Sequence, residues 1–115
     1  MKASPTADVA GMLRSYAYAA ATASRTEARP GSRRTAEIAR LWQNLVSTTF
    51  HAAYEEGTRG TPVFIEDERT RHLLLNLHLL RKALYEIGYE ASHRPDWIDI
   101  PVRGVLDIIG EVSRT

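Results

Sequence analysis

DERTRHLLLNLHLLRKALYEIGYEASHRPDWIDIP, residues 67–101, decides the fold. Leu73, Leu74, Leu75, Leu77, Leu79 and Leu80 place leucine almost all round the first half. A helix that is apolar on every side is a buried one, so this segment is expected to run through the core. The pattern predicts a helix from about Asp67 to Ser92. Arg94-Pro95 ends it, because the residue before proline avoids the helical region. At helical spacing Leu73, Leu77, Leu80, Leu84, Ile87 and Ala91 share one face, the expected core face. Tyr85 and Tyr89 lie one turn apart on a second face, with His78 and Lys82. Glu86 and Glu90 make an adjacent stripe, Arg94 follows Glu90 by one turn, and Trp97 comes just after the break.

Three further segments with apolar periodicity also read as helix, joined by loops. Val9, Met12, Leu13, Tyr16 and Ala20 recur at helical spacing over about Ala7 to Ala23. Thr6 is the expected cap of that helix, and Asp8 suits its first turn, where the helix dipole favours an anion. Pro30-Gly31 breaks the chain within a basic stretch holding Arg25, Arg29, Arg33 and Arg34. A second helix is expected from about Thr35 to Glu56, on Ile38, Leu41, Trp42, Leu45, Thr49, Phe50, Ala53 and Tyr54, with Gly57 as its stop. Val63-Phe64-Ile65 is too isolated for a paired strand and reads as a loop that packs an apolar tip. A last helix is expected near Pro101, with Val102, Val105, Leu106, Ile109 and Val112 as its stripe. Gly104 and Gly110 either weaken it or let a neighbour approach closely. The expected class is therefore all-α, with four helices and no sheet.

Composition narrows the chemistry. The 115 residues suit one small domain, with 43% hydrophobic and 25% charged residues in the ordinary globular range. Cysteine is absent, which excludes disulfides, thiol nucleophiles and thiolate metal sites. A formal charge of +1 supplies no global attraction to nucleic acid or to an anionic membrane. No apolar run reaches a membrane span, and MKASPTADVAGM lacks the apolar segment of a secretory signal, so a cytoplasmic location is expected. Gly57 to Pro62 lacks the lysine of a phosphate-binding loop. Of the histidines His51, His72, His78 and His93, none has a second histidine one turn away, and His51 with Glu55 supplies only two metal ligands. No metal site and no Ser-His-Asp grouping is expected.

The aromatic and carboxylate rows of residues 85–97 carry the remaining information. Carboxylates and guanidinium groups hydrogen-bond sugar hydroxyls, while aromatic rings cover the C–H faces, and a pocket needs a few such groups among apolar walls. Equally, the tyrosines could bury against another helix with satisfied hydroxyls, and Glu90–Arg94 could be an ordinary helical salt bridge. Spacing alone leaves both open.

KALYEIGYEASHRPDWIDIPVRGVLDII, residues 82–109, resembles the C-terminal end of maltokinases, including those fused to trehalose synthase. ADVAGMLRSYAYA, residues 7–19, is similar to a second family segment, and Trp42, Phe50 and Tyr54 match a pattern between the two. Maltokinases resemble aminoglycoside phosphotransferases, with a two-lobed, protein-kinase-like fold. The resemblance implies the helical, acceptor-binding end of the C-terminal lobe, in a family that phosphorylates maltose to maltose 1-phosphate with ATP and Mg. Such chemistry needs a phosphate-binding lysine, a catalytic aspartate and metal-binding acids. The family's HGDLH and DFEGEP-type motifs are absent here, so the expectation is a truncated portion that begins mid-fold, with no catalytic residues and no cofactor of its own. Ala17 also departs from the family, where an acidic residue is frequent.

The resemblance assigns Tyr85, Glu86, Tyr89, Glu90 and Arg94 to maltose contact or to shaping its pocket. It implies that Trp97 packs the RPDW turn, that Trp42 and Tyr54 wall the pocket or pack the core, and that Asp8 and Arg14 anchor the first helix to an active-site loop. An exposed apolar patch at Leu75, Leu79 and the Val63-Phe64-Ile65 tip is expected where another lobe packs. The alternative is a non-catalytic helical module that binds maltose, a related α-glucoside or a protein such as a kinase-lobe chain or trehalose synthase. Nucleic-acid binding through Arg25, Arg29, Arg33 and Arg34 is the weakest alternative, for want of a basic recognition helix.

Overall fold

A computed structural model describes residues 5–26 and 32–114, with the side chains of Thr26 and Ser32 outside the description. The Pro30-Gly31 break and Arg29 lie outside these residues. The fold is all-α: the described residues form α1 (Pro5–Thr26), α2 (Ser32–Thr58), α3 (Glu68–His93) and α4 (Asp99–Ser113), with a 3₁₀ turn at Pro95–Trp97. No strand occurs among the described residues. The chain divides into two compact units, residues 5–14 with 65–114, and Ser15–Phe64.

In the first unit α3 packs along α4. Asp67 starts α3: its carboxylate accepts from the Thr70 backbone N–H at 3.0 Å and from the Thr70 hydroxyl. These bonds hold the Asp67 carboxyl below its ordinary pKa, the hydroxyl bond contributing most. Arg71 donates to the Ile65 carbonyl at 2.8 Å and ties the incoming loop to the first turn. At the other end Arg94 leaves the helical region, with φ −141° and ψ 73°, as the following proline requires. Its backbone closes both elements: its N–H donates to the Glu90 carbonyl, and its carbonyl accepts from the Trp97 N–H, each at 2.8 Å.

The buried residues of this unit are Val9, Ala10, Arg14, Ala83, Glu90, Ile100, Pro101 and Gly104. That list corrects the expected core face of α3. Leu73, Leu77, Leu84 and Ala91 are exposed, Leu77 by 61%, while Leu80 and Ile87 are half-buried. The leucine-rich half is thus not buried all round. More of its circumference is apolar than α4 covers. The line actually facing inward runs through Ala83, Glu86 and Glu90, offset from the leucines.

In the second unit Tyr16 of α1 meets Trp42 and Phe50 of α2 edge-on, each with ring centroids 6.0 Å apart. Ala20, Ala39 and Phe64 are its buried apolar residues. Phe64 therefore packs as the expected apolar tip, with the Arg59 guanidinium 5.0 Å from its ring centre, whereas Val63 stays exposed. Of the residues expected to form an exposed patch, Val63 is exposed, whereas Leu75, Leu79 and Ile65 are half-buried and Phe64 is buried.

Helix boundaries differ from expectation: α1 runs on to Thr26 and α2 already begins at Ser32. α1 begins at Pro5, whose fixed φ suits a first helical position, so Thr6 lies inside the first turn instead of capping it. α2 passes through Gly57 to Thr58, and the turn falls on Gly60, whose φ of +83° is cheap only for glycine. α4 starts at Asp99, two residues before Pro101, immediately after the 3₁₀ turn.

Candidate functional site

The helical phase of α3 separates the five candidate residues into two groups. Tyr85 and Tyr89 face outward and are 65% and 46% exposed. The Lys82 ammonium stands 5.4 Å from the centre of the Tyr85 ring. The Tyr89 ring stacks on His93 at 4.2 Å between centroids, with 15° between planes. His93 is held there by its Nδ1–H, which donates to the Tyr89 carbonyl at 2.9 Å. Lys82, Tyr85, Tyr89 and His93 thus form a wet strip of amphipathic groups along about three turns.

Glu86 and Glu90 belong to the inward line, and the half-exposed Arg94, just past the helix end, reaches back to Glu90. Arg14, from α1, donates through Nε and Nη2 to Glu86 Oε1 at 3.0 and 2.7 Å. Both side chains are nearly buried, at 7% and 12% exposure. Gly104 makes this pair possible. A Cβ built there would stand 2.6 Å from Arg14 Nη1, so the missing side chain of α4 is the space that the guanidinium fills. The close approach expected at Gly104 is therefore real, and the approaching group is an arginine from another helix. Arg14 is a structural partner of Glu86 within the unit, not a free anchor.

Glu90 is the most deeply buried carboxylate among the described residues, with 1% of the residue exposed. Arg94 grips it as a fork, Nε to Oε1 and Nη2 to Oε2, both at 2.9 Å. Paired, parallel bonds of this kind are the strong form of an arginine–carboxylate contact. The outer face of the same guanidinium lies 4.3 Å from the centre of the Trp97 ring. Arg94 therefore locks the end of α3 to the 3₁₀ turn through one carboxylate, one indole and its own backbone, and Trp97 packs the turn as expected.

The arrangement has a plain chemical consequence. Tyr85 and Tyr89 present rings and edges to solvent, able to cover an apolar face of a ligand and to hydrogen-bond through their hydroxyls. Glu86, Glu90 and Arg94 already bond one another or Arg14 and set the phase and end of the helix that carries the tyrosines. Elsewhere, Trp42 packs on Tyr16, Tyr54 is half-buried, Asp8 is exposed in the first turn of α1, and His51 lies 3.4 Å from Glu55, one turn away. Among the described residues no three His, Asp or Glu side chains gather as a metal-holding group. Beyond the tyrosine strip, Leu77, His78, Leu80, Arg81 and Leu84 line an open, mostly apolar groove of about 370 Å³.

Sequence patterning missed His93 as a stacking partner and Gly104 as a seat for Arg14. The first was detectable from the four-residue step between Tyr89 and His93. Nothing local links Arg14 to Glu86, which are 72 residues apart. No helix among the described residues is long and apolar enough to cross a membrane. No family model matches the chain, and no solved structure matches it.

Proposed function

We propose that this chain is the maltose-binding, C-terminal portion of a maltokinase-like phosphotransferase of α-glucan and trehalose metabolism, acting in the cytoplasm and inactive alone. The family reaction transfers a phosphoryl group from ATP to maltose, giving maltose 1-phosphate. The observation that carries the proposal is the outward Tyr85–Tyr89 pair, standing within the stretch that resembles the family's acceptor-binding end. In this assignment Tyr85 and Tyr89 cover the sugar, while Glu86, Glu90 and Arg94 hold their helix in register. By the resemblance, the nucleotide and Mg belong to the family's remaining lobe.

An amide NMR titration with maltose, with ATP as the control, tests the proposal. Shifts centred on residues 85–94 with maltose and none with ATP are expected. Dispersed peaks that ignore maltose would remove the sugar-binding assignment. A second function, a non-catalytic sugar-binding or protein-interaction module, is favoured by the apolar side chains that α2, α3 and α4 leave exposed, and a kinase-lobe chain or trehalose synthase is its natural partner.

A further inference from the structure

We propose that the exposed face of α2 binds a second copy of this chain, the two α2 helices running antiparallel. Arg34, Ile38, Leu41, Leu45, Thr48, Ala52 and Glu56 are all exposed and follow one another at steps of three and four residues. Leu41 and Leu45 at its centre are each 68% exposed. This is the spacing of a helix-pairing seam. It differs from the side of α2 that holds buried Ala39 and half-buried Phe50. The helix is 27 residues long, about 40 Å, enough to carry a continuous seam.

Charge selects the occupant and its direction. Exposed Arg34 stands at the start of the seam and exposed Glu56 at its end; Arg33 and Glu55 lie beside them, Glu55 half-buried and 3.4 Å from His51. Antiparallel pairing about Leu45 sets each arginine end against the glutamate end of the other copy. The same two-fold relation brings Ile38 towards Ala52 of the second copy, a large side chain against a small one. Parallel pairing would oppose arginine to arginine and glutamate to glutamate, which is repulsive at both ends. A face that complements itself in size and charge is what a two-fold interface requires. The proposal is independent of sugar binding.

Sedimentation equilibrium of the chain, diluted from about 100 μM to about 1 μM, tests it. A monomer–dimer equilibrium is expected. Leu45→Glu should weaken it by at least about 30-fold, as truncating a central contact does. Arg34→Glu should weaken it, and adding Glu56→Arg should restore it, because the swapped charges again meet their opposites. If Leu45→Glu loses helix by circular dichroism, the charge swap on the two exposed ends decides alone. Monomer at every concentration overturns the proposal, whether or not another polypeptide covers the face. So does a dimer indifferent to Leu45→Glu in a folded variant, or a double swap no tighter than the single one.

Discussion

The two halves of α3 invert the usual relation between polarity and burial. The half that carries the leucines leaves Leu73 and Leu77 in water, while the half that carries Glu86 and Glu90 turns both carboxylates inward. An exposed leucine forgoes about 1.5–3 kcal/mol of burial. A buried carboxylate costs several kcal/mol of desolvation unless an opposing charge meets it with good geometry. Both departures coexist because tertiary partners, not side-chain polarity, choose the face: α4 presents Gly104 with space for Arg14, and the 3₁₀ turn brings Trp97 under Arg94. Charges therefore set the register of this helix, and its leucines are left for another surface.

The largest effect is expected of Glu86→Ala, which leaves the Arg14 guanidinium almost wholly buried without its carboxylate. A loss of about 3–4 kcal/mol is expected from urea unfolding. A loss under about 1 kcal/mol would mean that water reaches the pair and that the two halves do not differ as described. Arg94→Ala should cost less, about 2–3 kcal/mol, because the Arg94 side chain is 46% exposed and water can replace part of what it gives Glu90. Arg94→Lys should recover only part of that loss, since an ammonium cannot form the fork.

Gly104→Ala sharpens the same point with a single methyl group. The added Cβ meets a guanidinium pinned by Glu86, so a loss of about 1–2 kcal/mol is expected in thermal or urea unfolding. Combined with Arg14→Ala, the glycine substitution should become nearly neutral, because its clash has gone; additive losses would show that the contact is not the cause. Leu77→Ser, on the other half, should change stability by no more than about 0.5 kcal/mol. A loss above about 2 kcal/mol there would show that the leucines are covered after all.

The smallest effect concerns the start of the helix. Asp67 titrates below its ordinary value because Thr70 hydrogen-bonds its charged form. Its contribution is therefore present above the ordinary carboxylate range and fades as the pH falls through the lowered folded value. Thr70→Val removes the hydroxyl donor and keeps the backbone one. The Asp67 carboxyl should then titrate closer to its ordinary value in a carbon-detected NMR titration, and the acid limb of the stability curve should move with it.

Local chemistry determined the four helices of this protein. Apolar spacing, Asp67 as a cap and Pro95 as a breaker act over a few residues, so they are legible along the chain. The row of Lys82, Tyr85 and Tyr89 was legible too, because one helix carries all three and its period fixes their alignment, though the stacking of His93 on Tyr89 was not read. Helical periodicity finds a stripe, but it cannot say which stripe a neighbour covers. Tertiary structure alone decided that Ala83, Glu86 and Glu90 face inward, that Leu73 and Leu77 face out, and that Arg14 meets Glu86 across 72 residues beside Gly104. Those outcomes depend on where another helix leaves space for a guanidinium, a property of two surfaces brought together that neither segment carries by itself.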